Sequence, residues 1–88
     1  MDNSIAYRLR PSVSIIPIEN SFYEFFQSNT RRVKHLKFLD DNLINSISNL
    51  SGESIQSIVR THPQLKNELE SLFTALYNWC LIEDTDIA

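Results

Sequence analysis

The sequence predicts an α+β domain of winged-helix-like order, a three-stranded antiparallel meander followed by three helices. Three observations lead there. Residues 13–38 hold three segments rich in β-branched and aromatic side chains, separated by short polar turns. From Asp40 onward the apolar residues recur at helical rather than alternating spacing. A run of strands followed by a run of helices places the helices on one face of an antiparallel sheet.

The domain is expected to span residues 7–84, with flexible tails at 1–6 and 85–88. Tyr7-Arg8-Leu9-Arg10-Pro11 leads in, and Pro11 prevents a helix there. The first strand is Val13 to Ile18, where Pro17 cannot donate to a ladder and so marks a sheet edge or strand end. Glu19-Asn20-Ser21 is a hairpin turn. The second strand, Phe22 to Gln27, puts Tyr23 and Phe25 on one face, Glu24 and Phe26 on the other. After Ser28-Asn29-Thr30 comes the third strand, Arg31 to Phe38. Its phase is ambiguous: Val33 and His35 share one face, Leu36 and Phe38 the other. Either a bulge shifts the phase near His35, or both faces are partly covered.

Asp40-Asp41 suits a helix start, since carboxylates accept from first-turn amides and favour the positive helix end. Leu43, Ile44, Ile47 and Leu50 then form one buried stripe. Ser51-Gly52 is expected to end this helix, with the only glycine of the chain in the left-handed position. Ser54 caps a short second helix bearing Ile55, Ile58 and Val59. Thr61-His62-Pro63 breaks it, and Pro63 opens the next. The last helix runs from about Gln64 to Leu81, with Leu65, Leu69, Leu72, Phe73, Leu76 and Cys80 on its apolar side. Glu83-Asp84-Thr85-Asp86 reads as a frayed acidic tail.

The 88 residues make one small domain, which buries roughly 60–65% of its extended surface. Hydrophobic content of 42% with 22% charged residues is that of a folded chain. The lone Cys80 excludes an internal disulfide and a cysteine-based zinc cluster, and no apolar run approaches the ~18 residues of a membrane span. These features, with no secretory pattern at the start, lead to the expectation of a reducing cytoplasm and no membrane partner.

The residues do not assemble a catalytic constellation, so the protein is expected not to be an enzyme and to need no cofactor. His35 and His62 lack metal-ligand spacing. Asp40 and Asp41 are explained as caps. Cys80 reads as a small hydrophobe, and one glycine cannot make a phosphate loop.

Charge is distributed unevenly. Residues 1–39 carry six basic and three acidic groups, a balance of +3, whereas residues 40–88 carry two basic and eight acidic groups, a balance of −6. The basic groups cluster on the third strand. One reading is two solvated faces of opposite sign; the other is a basic strand edge that steers an acidic segment into place. A winged-helix DNA-binding regulatory module is the rival function. It would need a basic recognition helix, and the last helix sets Lys66 against Glu68 and Glu70.

The segment Tyr7-Arg8-Leu9-Arg10-Pro11-Ser12-Val13-Ser14-Ile15-Ile16-Pro17-Ile18-Glu19-Asn20 resembles the opening of peptide-recognition domains in ribosomal-peptide natural-product pathways. These are the RiPP recognition elements, related to the PqqD-like chaperones. Asn29-Thr30-Arg31-Arg32, Leu50-Ser51-Gly52-Glu53-Ser54-Ile55 and Trp79-Cys80-Leu81-Ile82-Glu83-Asp84 share the resemblance, although the family often has glycine in place of Cys80. The opening looks most like the leader-binding domain of azole-forming (thiazole/oxazole) bacteriocin clusters, often fused to a ThiF-like, E1-like domain.

The resemblance implies a partner and a site. The partner is the leader of a precursor peptide, delivered to a modifying enzyme such as a cyclodehydratase or E1-like protein, with no nucleic acid involved. The leader would add as a strand beside Arg31, Arg32, Val33, Lys34, His35, Leu36 and Lys37. Its side chains would enter a cleft against the last helix, among Leu65, Leu69, Leu72, Phe73 and Leu76, of which Leu69, Phe73 and Leu76 are the foremost lining candidates. An edge strand supplies unpaired amides and carbonyls for this. On that reading a proline at Lys34 or Leu36 would weaken the complex by removing a donor.

Overall fold

The computed structural model describes residues 2–38 and 40–85. In chain order the elements are β1 (Tyr7–Leu9), β2 (Val13–Pro17), β3 (Phe22–Gln27), β4 (Arg32–Lys37), α1 (Asp41–Ser48), β5 (Ser51–Glu53), α2 (Ile55–Thr61), a 3-10 turn (Pro63–Leu65), α3 (Lys66–Asn78) and β6 (Ile82–Asp84). The class is α+β. The strands form two antiparallel three-stranded sheets, ordered β2-β3-β4 and β5-β1-β6.

The first sheet is the expected meander, with β3 in the centre. Asn20 and Ser21 both take positive φ, 50° and 68°. Mirror-image hairpin turns require this, because their twist matches the flanking strands. Arg31 also has positive φ, 55°. It therefore belongs to the second turn, and β4 starts one residue later than the sequence suggests. The pairing of β3 with β4 is regular from Phe22↔Lys37 to Gln27↔Arg32. No bulge occurs at His35. Arg32, Lys34 and Leu36 thus share the face of Gln27, Phe25 and Tyr23, which looks onto the helices. Val33, His35 and Lys37 share the outer face.

The second sheet was not foreseen. Its three strands have three residues each, too short for a periodic signature. The stretch read as a lead-in is its central strand, and the stretch read as a frayed acidic tail is its edge. Tyr7 pairs with Asp84, Arg8 with Glu83 and Leu9 with Ile82. Arg8 and Glu83 also form an exposed ion pair at 3.1 Å. Residues 2–6 are likewise tied down. The Gln56 amide donates to the Asn3 carbonyl, Thr85 donates to that of Ala6, and Ile5 packs on the core. Of the expected flexible tails, Met1 and residues 86–88 lie outside the described residues.

Gly52 has a different task from the one expected. α1 ends at Ser48, and Asn49 is its cap. Gly52 sits in β5 with φ 125°, between the residues paired with Tyr7 and Arg8. It is the extra residue of a β-bulge, a place where glycine is favoured. The N-caps are as anticipated. Asp40 accepts from the Asn42 amide at 2.9 Å, and Ser54 and Ser57 form a reciprocal capping box.

The core lies between the meander and the helices, and its buried side chains include Phe25, Phe38, Ile47, Leu69, Phe73 and Leu76. Tyr7 meets Phe73 and Tyr77 edge-on, each at 5.9 Å between ring centroids. Burial pushes the Tyr7 phenol above its ordinary value of 10.0, so it is neutral in this setting.

α3 is shorter than its apolar stripe. It ends at Asn78, Trp79 is the cap, and Cys80 follows at φ 61°. The Leu81 amide donates to Leu76 and the Cys80 amide to Tyr77, the two bonds of a Schellman ending. Leu76 and Leu81 are both buried beneath it. Cys80 is therefore exposed rather than on the apolar face. A non-glycine residue in this conformation costs about 1–2 kcal/mol. Cys80→Gly is expected to stabilise the fold by about 1 kcal/mol, read as a raised urea midpoint with unchanged slope.

Candidate functional site

The open side of β4 follows from where its amides point. The Phe38 amide donates to the Ser21 carbonyl at 2.8 Å. Antiparallel ladders alternate, so the amides of Leu36, Lys34 and Arg32 also face β3. Those of Val33, His35 and Lys37 face away. Among the described residues no strand pairs with β4 on that side. Three residues thus present backbone donors and acceptors along an edge that no described strand covers. This corrects the expectation for proline at Lys34 or Leu36: those amides hold the sheet together and do not serve its edge.

The trough between β4 and α3 has two recesses of different chemistry. The first, about 290 Å³, lies where β4 begins and α3 ends, among Arg32, Lys34, Asn78, Trp79 and Leu81. The Lys34 ammonium stands 4.9 Å from the centroid of the Trp79 ring. Neither Arg32 nor Lys34 has an ion-pair partner among the described residues. Gln27 forms part of the same wall. It is buried, donates to the Cys80 carbonyl at 3.2 Å and accepts from the Thr30 hydroxyl at 3.1 Å. It thereby ties the end of β3 to the turn after α3, beside Trp79.

The second recess, about 450 Å³, lies where β4 ends and α3 begins, among Lys37, Phe38, Leu43, Glu68 and Leu72. Two more hollows, about 430 and 510 Å³, lie between α1 and α2 and between α2 and the first residues. Neither borders β4.

On the outer face His35 meets Glu24 at 3.0 Å, and the Lys37 ammonium stands 5.5 Å from the Phe22 ring centroid. Ile16, Phe22 and Val33 are exposed there.

The residues expected to bind therefore divide. Arg32, Val33 and Lys34 come together at the first recess, and Lys37 and Leu72 at the second. Leu36 is half-buried between them, His35 lies on the outer face, and Arg31 sits in the turn. Leu65, Leu69, Phe73 and Leu76 are buried core residues, the last three at 0% exposure. They support the trough from below and do not line it, which overturns their expected place in the cleft. α3 is rotated so that Leu72 alone of the stripe reaches the trough edge. Trp79, Asn78, Leu43 and Gln27 were missed. Trp79 had a signal, being the only tryptophan and lying just beyond an amphipathic helix.

No family model, curated protein or solved structure matches the chain. Among the described residues no group of three or more His, Cys, Asp or Glu could hold a metal ion. No described helix is long and apolar enough to cross a membrane.

Proposed function

We propose that this protein is a non-catalytic leader-peptide-binding module of the RiPP-recognition-element type, working in the cytoplasm. It takes the leader of a ribosomally made precursor as a fourth strand on β4. It delivers the core peptide to a modifying enzyme, in trans or fused. The carrying observation is the open ladder at Val33, His35 and Lys37, flanked by a trough against α3. Backbone pairing holds any extended segment at about 1 kcal/mol net per hydrogen bond, so the recesses must supply the selectivity. The affinity expected is micromolar to tens of nanomolar, about −8 to −11 kcal/mol, because the leader loses chain entropy on ordering.

The test is an NMR titration of labelled protein with the synthetic leader of a precursor encoded beside it. Amides 32–38 and the Trp79 indole are expected to shift. Affinity should fall only gently with salt, whereas a DNA complex making several phosphate contacts would lose about 10³–10⁵ between 50 and 200 mM salt. Shifts confined to the helices away from β4, or a steep salt dependence, would refute strand addition.

A further inference from the structure

We infer that the guest strand carries its specificity in a fixed order: an apolar side chain first, and an acidic side chain four or six residues later. The inference rests on the strand-addition reading and adds to it the chemical class of the peptide. The two recesses differ in their balance of charge. The one beside Phe38 has Phe38, Leu43 and Leu72 as its apolar wall, and the charges it holds, Lys37 and Glu68, are of opposite sign. The one beside Lys34 has apolar walls too, Phe25, Val33 and Leu81, but its only charges are Arg32 and Lys34, both without an ion-pair partner among the described residues, with Lys34 over the Trp79 ring. An apolar group gains by leaving water in the former. A carboxylate gains a charge-assisted hydrogen bond in the latter.

Direction and spacing follow from the ladder. Every pair in this sheet is antiparallel, the more stable arrangement per residue. A guest laid antiparallel on β4 meets Phe38 first, then Leu36, Lys34 and Arg32 at two-residue steps. Its side chains at those four levels all point into the trough, because Arg32, Lys34 and Leu36 share the inner face and Phe38, bonded to Ser21, continues it one step beyond β4. They also fall at the non-hydrogen-bonded pairs, since the edge bonds are made by Val33, His35 and Lys37. Side chains at such pairs approach most closely. The acid therefore stands level with Lys34, four residues after the apolar anchor, or with Arg32, six residues after it. A guest running parallel to β4 would need the opposite order.

The experiment is a selection of random 12-residue peptides displayed on phage against the immobilised full chain. Winners are then made synthetically beside versions with the apolar and acidic residues exchanged. Binding is read by the fluorescence of Trp79, the only tryptophan of the chain. The winners are expected to hold the apolar-then-acidic order, and the exchange to weaken binding at least about tenfold. Selection against Lys34→Glu should move the preference at that level to Lys or Arg. Enrichment of the acid-first order, or equal binding of the exchanged pair, overturns the inference and leaves strand addition standing. A selection that yields no peptide, or only peptides whose binding survives a Val33→Pro block of the edge, overturns strand addition and the inference with it.

Discussion

Phe73→Ala is expected to lose about 3–5 kcal/mol of stability, the range for a truncated buried aromatic. Phe73 is at 0% exposure in the middle of α3, with Tyr7 edge-on against its ring. Its removal leaves a hole that the surrounding strands cannot close without breaking the β1 contact. At ~0.05–0.15 kcal/mol per residue, a chain of 88 residues has roughly 4–13 kcal/mol in total. At the lower end of that range the variant is largely unfolded, and at the upper end it keeps its fold with a sharply lowered urea midpoint. Leu72→Ala is the contrast. Leu72 is half-buried at the trough edge, so its truncation should cost less stability and act on guest binding. If Phe73→Ala stayed fully folded and lost only binding, the helix would be rotated from the position described above.

Two prolines placed one residue apart on β4 should have opposite consequences. Val33→Pro removes an amide that faces the open side. Proline is tolerated at such edge positions, so the fold should persist and guest affinity should fall about tenfold or more. Lys34→Pro removes an amide that bonds β3. That change should cost about 1–3 kcal/mol, the penalty for the Phe25 carbonyl left without its donor, and loosen the hairpin. Circular dichroism and a two-dimensional amide spectrum report the fold, and fluorescence anisotropy of a bound peptide reports the affinity. Equal damage from both would show that β4 has no free edge.

Sequence reasoning found the meander, the Asp40 and Ser54 caps and the apolar stripe of α3, because each has a local cause. A cap acts within one turn, and a stripe repeats every three or four residues. The second sheet had no local cause. Tyr7 finds its partners at Glu53 and Asp84, far along the chain, and each strand is too brief to alternate. Gly52 was misplaced for the same reason, since a bulge depends on the strand opposite, whereas the ending at Cys80 is local but lacks the glycine that usually marks it.

The ambiguity in β4 has a physical origin at the site. Inner-face positions of a covered strand should be apolar, and Leu36 obeys this. Arg32 and Lys34 break the pattern because they line an open trough and face no core. The confusing stretch was thus the one the guest is proposed to occupy. What periodicity could not give was the rotation of α3. An apolar stripe reports that a face is covered, not which margin of it remains open.

The pairing of β1 with β6 has a mechanical consequence. Tyr7 stands opposite Asp84 and Leu9 opposite Ile82, so the segments before Tyr7 and after Asp84 leave from the same end of one strand pair. Tension applied through both segments loads the rungs one at a time, as in a zip, and never as a shared shear. β6 should peel away at low force, and the peeling should halt at the helix ending where Leu81 rests against Leu76. The meander and α3 lie beyond that stop, so a pull through both segments would be absorbed at β6 before it reached β4.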